Sequence, residues 1–206
     1  MYVPHHFAVS DEQTRAMLES VTAAELVTPT ADGLVATFLP LVYDAETKSL
    51  LGHVARANEH SGAKPTGESL VIARGADAYI SPNWYAAKRE HGRVVPTWNY
   101  STLHVHGRLQ FHDDTGWLEG LVTRLTDRHE SIFAEPWQVS DAPRKYVEGQ
   151  LKAIVGVQLH ITRVESKAKL GQNRSIEDQA GVVDGLREVD PGSPVAEQMQ
   201  RNLVAE

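Results

Sequence analysis

The chain has 206 residues, 41% hydrophobic and 23% charged, which suits one ordinary soluble domain with a buried core and excludes a disordered polymer. Twenty Lys and Arg against 27 Asp and Glu leave a net charge of −7, which makes the chain a poor candidate for a general nucleic-acid coat, although a local basic face stays open. With no cysteine, disulfides, thiolate zinc sites, iron–sulfur clusters and a cysteine nucleophile all fall away.

The opening residues, Met1-Tyr2-Val3-Pro4-His5-His6-Phe7, lack the basic start and apolar core of a signal peptide. No apolar run approaches a membrane span of about 18 residues, so the reading is a cytoplasmic protein. Ser10 caps a first helix, with Gln13 three residues on as in a capping box, and Met17, Leu18 and Val21 follow at helical spacing. Glu25-Leu26-Val27-Thr28 is β-prone, and Asp32-Gly33 signals a hairpin into a strand over 34–42. Pro40 argues against a buried mid-sheet place for that strand. A third strand is predicted over 49–55, a polar connection over 56–68, and two short strands over 69–73 and 78–81. A loop or short helix over 82–94 is punctuated by Gly92 and Pro96. Residues 98–112 form a long strand in which Gly107 marks a bulge or a close approach. Asp114 caps a helix whose Trp117, Leu118, Leu121, Val122 and Leu125 keep helical spacing, and a shorter helix follows over 142–153. A strand over 154–164, a charged segment over 167–175 and a helix over 176–186 come next. Beyond Pro191, Gly192 and Pro194 a short polar helix is expected to fray. Antiparallel strands interrupted by a helical insertion suit a barrel or sandwich, and strand–helix alternation of the doubly wound kind is missing.

Several chemistries fail on their residues. Gly62-Ala63-Lys64-Pro65-Thr66-Gly67 has the glycine spacing of a phosphate loop, but Glu68 and Ser69 stand where Lys and Ser or Thr are needed. No Gly-x-Ser-x-Gly elbow and no Gly-x-Gly-x-x-Gly fingerprint is present. His104 and His106 share one strand face and could clamp a metal, but nothing in the sequence names a third ligand, so no metal site is assigned. More unusual are Ser81-Pro82-Asn83-Trp84-Tyr85 and Pro96-Thr97-Trp98-Asn99-Tyr100, each with Trp, Tyr and Asn in five residues. Flat cofactors need such a mix of apolar walls and placed polar groups, although Trp and Tyr also serve as core corners with satisfied polar tips. The strand Leu50-Leu51-Gly52-His53-Val54-Ala55 runs into Arg56 and Asn58, where a guanidinium could grip a phosphate. Lys169-Leu170-Gly171-Gln172-Asn173-Arg174-Ser175 supplies two further cations and two amides.

Seven ordered segments give these features a common frame. They are Met1-Tyr2-Val3-Pro4-His5-His6-Phe7, Gly33-Leu34-Val35-Ala36-Thr37-Phe38-Leu39-Pro40, Gly52-His53-Val54-Ala55-Arg56-Ala57-Asn58, Ala78-Tyr79-Ile80-Ser81-Pro82-Asn83-Trp84-Tyr85, Val95-Pro96-Thr97-Trp98-Asn99-Tyr100, Leu125-Thr126-Asp127-Arg128-His129-Glu130 and Leu151-Lys152-Ala153-Ile154-Val155-Gly156. On these the chain resembles the PaiB-type FMN-binding negative transcriptional regulators, from Met1 to about Leu186. Residues 59–63 are more polar than the family's continuation of the Ala-Arg-Ala-Asn motif, and residues 74–77 replace its Gly-Pro-like approach to Tyr-Ile-Ser-Pro.

The resemblance implies a mainly β fold with α: a six-stranded antiparallel FMN-binding split barrel with surrounding helices. It would span residues 1–186, with a helical insertion near 114–153 and a tail or short helix over 187–206. It further implies a homodimer, with FMN in a groove at the two-fold interface and a regulatory output. Arg56, Asn58 and Lys64 are then expected at the phosphate end, with His53, Val54 and Ala55 on the strand leading to it and Gln172 and Arg174 as further polar contacts. Ala36, Thr37 and Phe38 are expected along the isoalloxazine edge, with Trp98, Asn99 and Tyr100 shaping the same groove. The competing roles are a flavin-dependent oxidoreductase, a haem-binding or haem-degrading protein, whose candidate haem ligands are His53, His104 and His129, and a flavin-free interaction domain. Direct nucleic-acid contact finds no basic recognition helix, since the helix after Asp114 sets Glu119, Asp127 and Glu130 beside Arg124 and Arg128.

Overall fold

A computed structural model describes residues 1–205. Six strands, β1 (Ala23–Thr30), β2 (Gly33–Asp44), β3 (Ser49–Ala55), β4 (Ser69–Ile80), β5 (Thr97–His112) and β6 (Ile154–Lys169), close a barrel in the order β1-β2-β3-β6-β5-β4. The helices are α1 (Asp11–Ser20), α2 (Ala86–Glu90), α3 (Thr115–Glu130), α4 (Arg144–Lys152), α5 (Ile176–Val189) and α6 (Pro194–Ala205). Among the described residues no helix is long and apolar enough to cross a membrane. The chain divides into two units. The larger holds Arg15–Ala73 and His104–Glu165, and the smaller holds Met1–Thr14, Arg74–Leu103 and Ser166–Glu206.

In the larger unit the Asp32-Gly33 hairpin forms as its dipeptide predicts, with Gly33 at φ +123°, and β1 pairs β2 from Thr30↔Gly33 to Ala23↔Pro40. Contrary to the sequence-based expectation, Pro40 does lie in a strand with neighbours on both sides. It sits where β2 changes partner: pairing with β1 ends at Pro40 and pairing with β3 begins at Leu41↔Gly52. A residue without an N–H fits at that step, and its ring is exposed while Leu39 and Leu41 are buried. Gly52 permits the crossing, because a Cβ there would stand 2.6 Å from the Pro40 carbonyl oxygen. The strand interior is filled by Leu26, Leu39, Leu50, Val54, Val71, Val105 and Val157. Gly107 is a close-approach point, as expected, with the His160 carbonyl oxygen 2.3 Å from where its Cβ would be.

The insertion packs outside this core. Asp114 Oδ1 accepts from Trp117 N at 2.8 Å and so caps α3. Leu121 and Leu125 of α3 bury against Val42 and Leu51, while Leu118 meets Val147 and Leu151 of α4. Trp117 lies flat where a side chain on Gly156 would be, and stacks on His112 with ring centroids 3.9 Å apart.

The two strands expected over 69–73 and 78–81 are one, because residues 74–77 stay extended. Gly75 sits close to the neighbouring strand: a Cβ there would meet Ser101 Oγ at 2.1 Å and require that hydroxyl to turn away. Ile80, Tyr85 and Leu170 form a cluster with Val182, Val183 and Leu186 of α5. Trp84 rests on the face of α5 left bare by Gly181 and Gly185. The last helix is packed along one face. Val195, Ala196 and Met199 of α6 are buried in the same cluster, because apolar residues at helical spacing in an otherwise polar sequence give α6 one core-facing stripe. The expected charged segment after residue 164 continues as β6 to Lys169.

Met199→Ala therefore should lower unfolding stability by about 2–5 kcal/mol, the range for a buried Met truncated to Ala. Urea unfolding measures it; a loss below about 0.5 kcal/mol, the level of a surface change, would return α6 to the status of a loose tail.

Candidate functional site

The residues expected at the phosphate end all lie on the connection that follows β3, within the larger unit. Asn58 opens a 3-10 turn, Glu59–Gly62, and the polar residue His60 inside it is 0% exposed. A fully buried imidazole needs partners on both ring nitrogens. Nδ1 lies 2.8 Å from Thr37 Oγ1 and Nε2 lies 2.9 Å from Thr28 Oγ1. Thr28 Oγ1 is in turn 2.8 Å from Ser69 Oγ, and Thr37 Oγ1 is 3.2 Å from Asn58 Oδ1.

The positions of the hydrogens follow by elimination. The backbone N–H of His60 donates to the Asn58 side chain at 2.8 Å, so that atom is the amide oxygen. The Thr37 hydroxyl must then donate to the same oxygen and can only accept from His60 Nδ1. Nδ1 therefore carries the hydrogen, and in the neutral ring Nε2 accepts from Thr28, which accepts from Ser69. Burial holds His60 below the ordinary histidine value, against an opposing pull from Glu59, which agrees with the neutral ring.

Thr37 thus turns inward to this network, whereas Ala36 and Phe38 beside it on β2 are exposed on the other face. Val54 is a core residue, 4% exposed, so its side chain belongs to the barrel interior and only its backbone remains for other uses. Ala55 is exposed. His53 keeps a buried Nδ1 without a hydrogen-bond partner among the described residues, and burial pushes its pKa down. Arg56 is pinned to its own fold: Nε donates to Lys152 O at 2.9 Å, and Nη2 donates to Ile154 O at 2.9 Å and to Asp113 Oδ1 at 2.7 Å. That leaves Nη1 for anything else. Lys64 is exposed.

The remaining expected residues belong to the smaller unit. Trp98 is 51% exposed, its indole N–H donates to Asp77 Oδ1 at 2.8 Å, and Tyr79 meets it edge to face with centroids 6.2 Å apart. The ring is thus held at the surface and is not a core corner. Asn99 is buried and donates to Met199 Sδ at 3.4 Å. Tyr100 has the Lys167 ammonium 5.3 Å from its ring centroid. Gln172 is used within its own turn, accepting from Leu170 N and donating to Ala168 O. Arg174 covers the ring of Tyr85 at 4.9 Å. Lys169 Nζ donates to Trp98 O at 2.6 Å, and burial lowers its pKa.

Of the other histidines considered, His104 has its pKa lowered by burial, His106 Nε2 lies 3.1 Å from Glu165 Oε2, and His129 is exposed on α3. Among the described residues no three His, Asp or Glu side chains gather as a metal site. Sequence reasoning missed His60, Thr28, Ser69, Asp77 and Asp113. Only the alternation of β1 hinted at Thr28, whose neighbours Val27 and Pro29 fall on the opposite face.

The network has a pH signature. His53, His60 and His104 all have depressed values in the fold. Their neutral forms stabilise the protein fully above the unfolded value near 6.5, and stability falls as the pH drops below it because only the unfolded chain takes up the protons. Urea midpoints should decrease from pH 7 to pH 5, and His60→Asn should flatten that slope. A midpoint constant over the range would contradict the burial of these rings.

Comparison with known proteins supplies what the geometry alone does not. The model of the family described as "Putative FMN-binding domain" matches residues 1–163. The protease synthase and sporulation protein PAI 2 of Bacillus subtilis is 30% identical over 203 residues, covering 97% of this chain and 94% of that protein. Among solved structures, a conserved hypothetical protein of Mycobacterium tuberculosis superposes with a TM-score of 0.58 at 11% identity, covering 82% of this chain and 91% of that one. The FAD and heme binding protein of Mycobacterium smegmatis gives 0.53 at 15% identity, covering 80% and 74%.

Proposed function

We propose, for a chain that belongs to the FMN-binding domain family and has its split-barrel fold, that it works as a homodimeric FMN protein with a regulatory output. Family membership makes FMN its cofactor, and the match over residues 1–163 is the observation that carries this reading. The residues fit such a group. Asn58 has both hydrogens of its amide nitrogen unused by the described residues, and Arg56 Nη1 and exposed Lys64 stand on the same connection. These three would hold the phosphate, whose charge needs charge-assisted or oriented donors. Exposed Ala36 and Phe38 on β2 would lie along the isoalloxazine, and FMN, once bound, supplies the electron chemistry.

The homodimer is supported by an apolar sheet face within the larger unit. Ile72, Glu25 and Phe38 lie in register across β4, β1 and β2, as do Leu70, Val27 and Ala36, and Pro29 pairs with Leu34. Leu34 is 74% and Phe38 67% exposed, on strands whose opposite face is buried. A largely apolar sheet face, with Glu25 as its charged member, suits an interface, and a two-fold contact would cover it with a second copy of itself.

The regulatory output is supported by the relative named for protease synthase and sporulation. A route through direct DNA contact is disfavoured by the net charge of −7 and by α3. Its Arg124 is paired with Asp44 at 3.1 Å and its Arg128 donates to Glu19 O at 2.7 Å, so neither cation is presented to a phosphate backbone.

Two measurements check the proposal. The purified protein, as isolated or after FMN is added and excess removed, should keep the absorbance bands of bound flavin; a colourless protein after both treatments would end the flavin reading. Light scattering should give twice the chain mass, and Phe38→Glu, which puts a charge on the exposed apolar face of each chain, should reduce it to one chain mass. A parent of single-chain mass at micromolar concentration would end the dimer.

A further inference from the structure

The hydrogen-bond chain that closes on His60 fixes more than a loop. It also fixes which way the Asn58 amide faces. Two donors, the His60 backbone N–H at 2.8 Å and the Thr37 hydroxyl at 3.2 Å, converge on Asn58 Oδ1. Turning the amide over would put its NH2 group against both, so the flipped state is closed. The Thr37 hydroxyl is itself aimed by the Nδ1 hydrogen of a fully buried His60, and that ring is held from its far side by Thr28 and Ser69. Asn58 Nδ2, by contrast, donates to no described residue. A partly exposed amide is left with two hydrogens directed away from its locked oxygen.

We infer that Asn58 is an anion-recognition residue whose donor face is locked by the His60–Thr37 relay, and that it reads the phosphate of FMN in preference to the phosphate-free flavin. The inference rests on the FMN reading above. Thr37 and His60 are positioning residues in this scheme: they act through Asn58 and touch no ligand. Arg56, which the strand-to-loop sequence singles out, is the weaker determinant, because three of its guanidinium hydrogen bonds go to Lys152, Ile154 and Asp113. A pre-aimed neutral donor costs no reorganisation when the anion arrives, and this is why an amide can matter here as much as a tethered cation.

The test is a titration of the full chain, stripped of flavin, with FMN and separately with riboflavin. The parent should bind FMN more tightly. Asn58→Ala and Thr37→Val should each weaken FMN by roughly ten- to 150-fold, the loss expected for one hydrogen bond to a charged group, with riboflavin affinity moved far less. The double variant should be no worse than Asn58→Ala alone, because both act through one amide. Asn58→Asp covers the case in which Thr37→Val does not fold. It keeps the Oδ1 acceptor for both donors and replaces only the NH2 by a negative oxygen, so FMN should be lost while riboflavin still binds. Equal weakening of FMN and riboflavin in these variants, additive effects in the double variant, or FMN binding that survives Asn58→Asp would each overturn the inference while leaving the FMN reading intact. A parent that binds riboflavin but not FMN more tightly would do the same. A parent that binds neither flavin would overturn both.

Discussion

A neutral imidazole with no access to water is the constraint on which this corner of the protein depends. His60 reaches the interior from a polar turn, and it can stay there only if each ring nitrogen finds one partner of the right sense. The barrel provides them from two strands, Thr37 on β2 and Thr28 on β1, and Ser69 at the start of β4 completes the set. Because every hydroxyl has one hydrogen to give, the direction of each bond is determined by the next. The connection that follows β3 is therefore fastened to two strands by a single side chain, and to β4 through Thr28.

Arg56 fastens the other side of the same connection. Its guanidinium gathers the carbonyls of Lys152 and Ile154 at the junction of α4 and β6, and Ser61 Oγ closes back on the Arg56 carbonyl at 2.7 Å. Removing this guanidinium would leave two carbonyls short of a donor in addition to removing a cation, so the residue serves the fold and any ligand at once. The division of labour is physical: the charged side chain supplies the framework, and the uncharged Asn58 keeps its donors open.

Much of the fold was legible because its signals are local. Asp32-Gly33 turns the hairpin, Ser10 and Gln13 exchange hydrogen bonds as a capping box, and Asp114 caps α3. The errors came where a residue's meaning is set by a distant neighbour. Residues 74–77 read as a gap between two strands until β4 is seen to run through them, Pro40 reads as unsuited to a mid-sheet place until the change of partner on β2 is seen, and α6 reads as polar until its one buried stripe meets α5. The site divides in the same way. The motif around Arg56 and Asn58 was visible as a strand ending in a cation and an amide. His60 was not, since its turn is polar in composition and only tertiary packing makes it interior. Asn99 and Gln172 misled for the converse reason: amides in a rich aromatic or basic segment look free, but Met199 and the backbone of Ala168 and Leu170 engage them.

The central claim is the state of one ring, and nitrogen NMR of the folded protein reads it directly. At pH 7 the His60 imidazole should be neutral, with the proton on Nδ1 and a bare Nε2, and its Nδ1–H should exchange slowly with solvent because it is buried against Thr37. A ring carrying its proton on Nε2, or a cationic ring at that pH, would reverse the hydrogen on Thr37 or strand the one on Thr28, and the locked amide of Asn58 would lose its basis.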